Sequence, residues 1–249
     1  MGYDLHITRA VWYSESGRFP ILDAEVVAAV EAADDLVTPG DAPRRPGFCY
    51  VVWSLSASND EYLLFQDGML STKNPTEAFR RRMTELAARL DAWVVGQDGE
   101  LYEWDGGQVE VRWRSREEYA TRRRLISRAA KIPASEWMAL AANQPDFATM
   151  TTVEANLPSG TRQIECPPVA CWTGHPSGRS IPFFHDDYDD VVEVTHADEL
   201  IERRMGELAT VLGAEVQDPD APADPNSACP CGKNTLAECV KAAQSTGEA

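Results

Sequence analysis

Apolar and polar residues alternate through Tyr3, Asp4, Leu5, His6, Ile7, Thr8 and Arg9, the two-residue period of a half-buried strand. Tyr3, Leu5 and Ile7 are expected on the core face, with Asp4, His6 and Thr8 opposite. From about Ala24 the spacing becomes helical. Val26, Val27 and Val30 form a partial stripe, and Asp23 stands where a cap belongs. Residues 50–55, 62–65 and 69–72 read as three short strands. The last two flank Gln66-Asp67-Gly68, a hairpin turn, because Asp-Gly tolerates positive φ. Asn74 is the expected cap of a second helix, with Pro75 at its first position and Glu77 closing a capping box. Phe79, Met83, Leu86 and Leu90 then make one apolar stripe. A strand over residues 92–95 completes a β-α-β-β-β-α-β unit.

The pattern then occurs again. Arg81, Arg82, Met83, Glu85, Leu86, Ala87, Leu90, Ala92 and Val94 return as Arg203, Arg204, Met205, Glu207, Leu208, Ala209, Leu212, Ala214 and Val216. Nine of these fourteen positions match, where average usage predicts roughly one by chance. Upstream, Trp53, Phe65 and Asp67 align with Trp172, Phe184 and Asp186. Ile21, Glu25, Ala28 and Asp35 align with Ile132, Glu136, Ala139 and Asp146. The expected fold is α+β: a tandem duplication of this module, helices packed on mostly antiparallel sheet. Residues 1–107 make the first repeat and 108–217 the second; independent folding and a shared core both remain open. The extra residues around 151–167 and 188–190 are expected in loops. Val111 and Trp113 are expected to replace the N-terminal strand in the second repeat, followed by a basic linker helix over residues 115–130.

Composition narrows the class. The chain has 249 residues, 43% hydrophobic, enough for two compact units. No apolar run approaches the ~20 residues of a membrane span, and no signal peptide is expected at the N-terminus. Six cysteines without a secretion signal read as reduced thiols in the cytoplasm. The formal charge of −17 argues against DNA, which needs a clustered positive surface. It favours solubility or a basic protein partner. Residues 112–131 run the other way, with eight basic residues against two acidic ones. No aromatic platform accompanies Arg122, Arg123 and Arg124, as RNA binding would want.

Three places carry candidate chemistry. His175, His185 and His196 lie among Asp186, Asp187, Asp189 and Asp190, and imidazole with carboxylate suits a metal that activates water. Asp4 and His6 lie two residues apart on one strand face, where a carboxylate could orient a general base. Beyond the acidic Pro-rich linker that opens residues 218–249, Cys229-Pro230-Cys231-Gly232-Lys233 and Cys239 resemble a SEC-C zinc knuckle. That resemblance implies zinc held by Cys229, Cys231 and Cys239. The spacing to Cys239 is one residue short, and Val240 stands at the fourth ligand position, although a closed structural zinc site takes four ligands.

The opening residues Tyr3 to Ala10, the helix start Ile132 to Trp137, Trp172, the Asp67-Gly68 turn and Lys73-Asn74-Pro75 resemble a family of uncharacterised bacterial proteins that begin M-x-Y-D-L-H-I-T-R-A. The resemblance implies the fold and brings no activity with it. The expected function is a non-catalytic interaction module, in its concrete form an immunity-type inhibitor that covers a basic partner. The alternative is a metal-dependent hydrolase using His175, His185 and Asp186.

Overall fold

The alternating N-terminal segment is a central strand, β1 (Asp4–Thr8). A computed structural model describes residues 3–55, 61–113, 123–219 and 221. After β1 come α1 (Asp23–Glu31), β2 (Leu36–Val37), β3 (Phe48–Trp53), β4 (Tyr62–Gln66), β5 (Met69–Lys73), α2 (Glu77–Arg89), β6 (Trp93–Gly96), β7 (Leu101–Trp104) and β8 (Val109–Arg112). Then follow β9 (Arg124–Ser127), α3 (Ala134–Ala142), β10 (Phe147–Leu157), β11 (Gly160–Trp172), β12 (Ile181–Asp186), β13 (Val191–Val194), α4 (Glu199–Leu212) and β14 (Glu215–Gln217). Sheet one runs β2-β3-β4-β5-β1-β6-β7-β8, and sheet two runs β10-β11-β12-β13-β9-β14. Without β7 and β8 the two orders coincide strand for strand, as a duplication requires. The class is α+β, with antiparallel sheets covered on one face by helices.

Each helix layer closes its own core. Leu5, Ile7, Val26, Phe79, Met83 and Leu86 belong to one buried cluster. Ile126, Trp137, Ile201, Met205 and Leu208 belong to another. The apolar stripes of α2 and α4 are those expected from the helical period, and each fully buried side chain contributes about 1.5–3 kcal/mol. The β4–β5 turn is also the expected one. Asp67 and Gly68 have φ of 52° and 74°, and a Cβ on Gly68 would meet Pro20 Cβ at 2.6 Å.

The structure corrects several local expectations. Residues 124–127 form β9 and not part of a linker helix; residues 115–122 of that expected helix lie outside the described residues. Val111 and Trp113 do not start the second repeat: β8 pairs with β7 in sheet one. The counterpart of β1 is β9, where Ile126-Ser127-Arg128-Ala129 matches Ile7-Thr8-Arg9-Ala10. Thr76, not Asn74, caps α2 by accepting from the Phe79 N–H. Asn74 lies in the left-handed region at φ 48°, and its Oδ1 accepts from Tyr3 N–H. The cap of α1 is Leu22, one residue before Asp23.

The pairing of Phe65 with Phe184 is one residue out of register. Phe65 lies opposite Leu70, which lies opposite Ile7. In repeat two the same position is His185, opposite Val192 and then Ile126. Strand side chains alternate faces, so one residue moves Phe184 to the other side of the sheet. There it packs with Cys171 and with Phe19 of repeat one.

The insertion around 151–167 is not a loop. It lengthens β10 and β11 into an arm that crosses to repeat one. At its tip, Ser159 donates from its N–H and its hydroxyl to Asp91, and Arg162 pairs with Asp91 at 2.8 Å. Asp91, at φ 50°, follows α2 where left-handed Gly213 follows α4.

Candidate functional site

The three histidines of repeat two are not brought together. His185 bonds Asp187 Oδ1 at 2.8 Å and Ile132 O at 2.7 Å. His196 is exposed, at φ 56°, the left-handed position that Asn74 holds in repeat one. Asp186 faces away from His185's partners: its Oδ1 accepts from the N–H of Tyr188 and Asp189, and its Oδ2 meets Arg18 at 3.3 Å. Among the described residues no three His, Cys, Asp or Glu side chains converge as a metal site would need.

His175 takes part in a relay. The Ser177 hydroxyl lies 2.6 Å from Nδ1, and Nε2 lies 3.0 Å from Asp198 Oδ2. The three residue types are those of a Ser-His-Asp triad, with the two ring nitrogens exchanged: serine meets Nδ1 and aspartate Nε2. The nearby amides are occupied, however. Ser177 N–H points at the ring nitrogen, Arg179 N–H at the Ser177 hydroxyl and Gly178 N–H at His175 O, so these three amides are not offered to an oxyanion. Asp198 is also the cap of α4, accepting from Leu200 and Ile201 N–H. The relay fastens the loop after β11 to the start of α4.

On β1, Thr8 accepts from Ala10 N–H, and Asp4 accepts from Gln97 at 3.3 Å. His6 is buried and stacks on Tyr13 at 4.2 Å. Neither ring nitrogen has a partner among the described residues. Burial lowers its pKa from 6.5, and Asp4 restores only part. The folded state therefore takes up this proton later than the unfolded chain. Stability is full above about pH 6.5 and falls as pH drops through the folded value. Acid titration of the unfolding free energy should show this limb first, and His6→Phe should flatten it. An unchanged limb in the variant would assign it to another group.

The elements that recur in both repeats are polar networks. Arg9 forks onto Glu25 at 2.7 and 2.9 Å and donates to Leu90 O. Arg128 forks onto Glu136 and donates to Leu212 O. Asp35 accepts from Trp53 Nε1 and, bidentately, from Arg82. Asp146 accepts from Trp172 Nε1 and Arg204. Burial alone would raise Asp35's pKa, but the bonds from Arg82 and Trp53 hold it below the usual carboxylate value. Both networks border a groove. One, of about 620 Å³, is lined by Trp53, Trp104, Arg81, Arg82 and Glu85. The other, of about 500 Å³, is lined by Trp172, Arg203, Arg204 and Glu207. Sequence reading aligned Asp35 with Asp146 and Trp53 with Trp172 without joining them. The matched spacing of an acid, a tryptophan and a paired arginine was the available signal.

Between the repeats, Arg18 reaches Glu193 at 2.9 Å and Asp186 at 3.3 Å, and it lies over the Phe184 ring. Arg123 meets the same Glu193 at 2.7 Å. Burial pushes Glu193 up, and the two guanidinium groups more than reverse it, so its pKa lies below the ordinary value.

The β12–β13 turn projects into solvent. Tyr188 is 88% exposed, and Asp187 beside it is 91% exposed. Asp190, at φ 51°, pairs with Lys131 at 2.8 Å. Cys229, Cys231 and Cys239 lie outside the described residues. No helix among the described residues is long and apolar enough to cross a membrane. The chain matches no protein-family model, no curated protein and no solved structure.

Proposed function

We propose that this chain is a non-catalytic interaction protein that binds a basic protein partner, in its concrete form an immunity-type inhibitor. The observation that carries the reading is the β12–β13 turn, where an exposed tyrosine stands among four aspartates on a turn braced by Asp186. Tyrosine supplies contact area at small entropy cost, and carboxylates steer a basic partner. A braced turn also reduces the ordering cost of binding. A cytosolic location and the resemblance drawn from Tyr3 to Ala10 belong to the same proposal.

The test is capture from the native host with the full chain. A stoichiometric basic partner is expected, with binding that weakens as salt rises. Tyr188→Ala should weaken it at least tenfold, about 1.4 kcal/mol, and Asp187→Lys should slow association. Recovery of no stoichiometric partner would count against the proposal, as would labelling of Ser177 by a fluorophosphonate. Zinc at Cys229, Cys231 and Cys239 is proposed as a separate, structural feature. Metal analysis before and after removing residues 229–249 checks it. Metal that survives the removal and is lost with His185→Ala would favour the hydrolase.

A further inference from the structure

Leu5 and Ile7 point into the core under the helices, so His6 between them lies on the other face of sheet one. There Tyr13 covers it, the two ring planes 10° apart. Tyr13 belongs to a short segment that follows β1 and is tied together by main-chain bonds. Glu15 N–H donates to Trp12 O, Ser16 N–H to Tyr13 O, Arg18 N–H to Glu15 O and Phe19 N–H to Ser16 O, at 3.0, 3.1, 2.9 and 3.2 Å. The far end of this segment is the contact with repeat two. Arg18 meets Glu193 and Asp186, and the Phe19 ring meets Phe184 edge-on at 5.6 Å. Midway, the Ser16 hydroxyl donates to Asp67 O at 2.8 Å. One bonded piece thus joins a buried imidazole to the seam between the repeats.

We infer that His6 and residues 12–19 form a proton-operated strap: in mild acid the imidazolium leaves its site, lifts Tyr13 and withdraws Arg18 and Phe19 from repeat two. An imidazolium brings two N–H donors and a charge. Its site gives neither nitrogen an acceptor among the described residues, and a buried charge without partners is costly. Across the sheet His6 faces Ser71 and Val95, both uncharged. Lys73 lies opposite Asp4. From the strap come the Tyr13 phenol and Glu15, which pairs with Arg18.

The sign is definite. Burial holds His6 below its ordinary 6.5, and the attraction of Asp4 offsets only part of this. The closed contact is therefore full above about pH 6.5. From there down to the folded value, the ratio of open to closed strap rises about tenfold per pH unit, and then it levels off. Glu15, raised by burial, works the other way. Asp186 and Glu193 lie below their ordinary values of 3.8 and 4.5, so they give up their share of the contact only in stronger acid.

The test is an NMR titration of the full chain from about pH 7.5 to 5, reading the His6 ring shifts and the cross-peaks between the Phe19 and Phe184 rings. The cross-peaks should vanish with His6's own midpoint, while the Leu70 and Met83 amides keep their exchange protection. His6→Phe keeps a ring on Tyr13 and loses the proton, so its cross-peaks should persist throughout. Ser16→Ala removes the hold on Asp67 and should raise the open fraction about fivefold. Glu15→Gln should leave the transition in place. Cross-peaks that survive His6 protonation, or that vanish alike in His6→Phe, overturn the inference. So does loss of protection at Leu70 and Met83 over the same pH range, which makes His6 a determinant of global stability and not of a local opening.

Discussion

Trp137→Ala is expected to cost about 3–5 kcal/mol and to unfold repeat two ahead of repeat one. Trp137 is 0% exposed, stacks on Phe183 at 5.8 Å and meets Phe147 edge-on at 6.1 Å. Alanine leaves a cavity beside Phe183 and Phe147 that the packed sheet and helices close only in part. The indole N–H has no partner among the described residues, so Trp137→Phe removes an unsatisfied donor along with some volume. It should cost less, about 1–2 kcal/mol. Hydrogen exchange resolved by residue reads the outcome. Protection should fall first at Ile126, Val192 and Met205, while Leu5, Leu70 and Met83 hold. A uniform loss across both repeats would mean that the two cores unfold as one unit.

Arg18→Ala should weaken the contact between the repeats at a cost of about 3 kcal/mol. Glu193 is 1% exposed, and removing one partner of a buried ion pair typically costs about 3–5 kcal/mol. Arg123 remains in place, which sets the lower figure. Phe184 also loses the guanidinium above it. The effect depends on pH with a definite sign. Glu193's folded pKa lies below its ordinary value of 4.5, so its contribution is full above that value and is lost as pH falls through the folded one. Glu15, raised by burial, runs the opposite way and gains as pH falls. The variant keeps Glu15, Asp186 and Glu193 close together without their shared cation. Its stability curve should therefore approach that of the wild type in acid and diverge at neutral pH. A difference independent of pH would assign the loss to packing on Phe184. Arg18→Lys should recover only part, because an ammonium can neither fork nor stack as a guanidinium does.

Legibility of the fold followed the physics of each element. The stripes Phe79-Met83-Leu86-Leu90 and Ile201-Met205-Leu208-Leu212 were readable because helical periodicity needs no knowledge of neighbours. Strand β9 was not. Its short stretch carries one fully buried residue, Ile126, between arginines, and a basic run reads as a solvated helix face until its neighbours are known. The register of β12 was hidden for a related reason. One extra residue enters between Trp172 and β12, since Trp53 meets Glu61 eight residues on and Trp172 meets Ile181 nine residues on, and only the pairing of His185 with Val192 shows which residue faces the core. The candidate histidines shared a stretch of sequence but not a site. His175 holds Ser177 and Asp198, His185 holds Asp187 and Ile132 O, and His196 is exposed.

The amino-acid order alone determined that an α+β unit was written twice, because a repeated hydrophobic pattern carries its helices and strands with it wherever they dock. Tertiary structure decided everything that depends on two distant residues meeting. It joined Arg9 to Glu25 and Leu90, set Arg18 against Glu193 across the repeats, and turned the inserted residues into an arm. Local periodicity specifies which face of an element is apolar, whereas pairing and closure depend on loop lengths and competing partners summed over the whole chain.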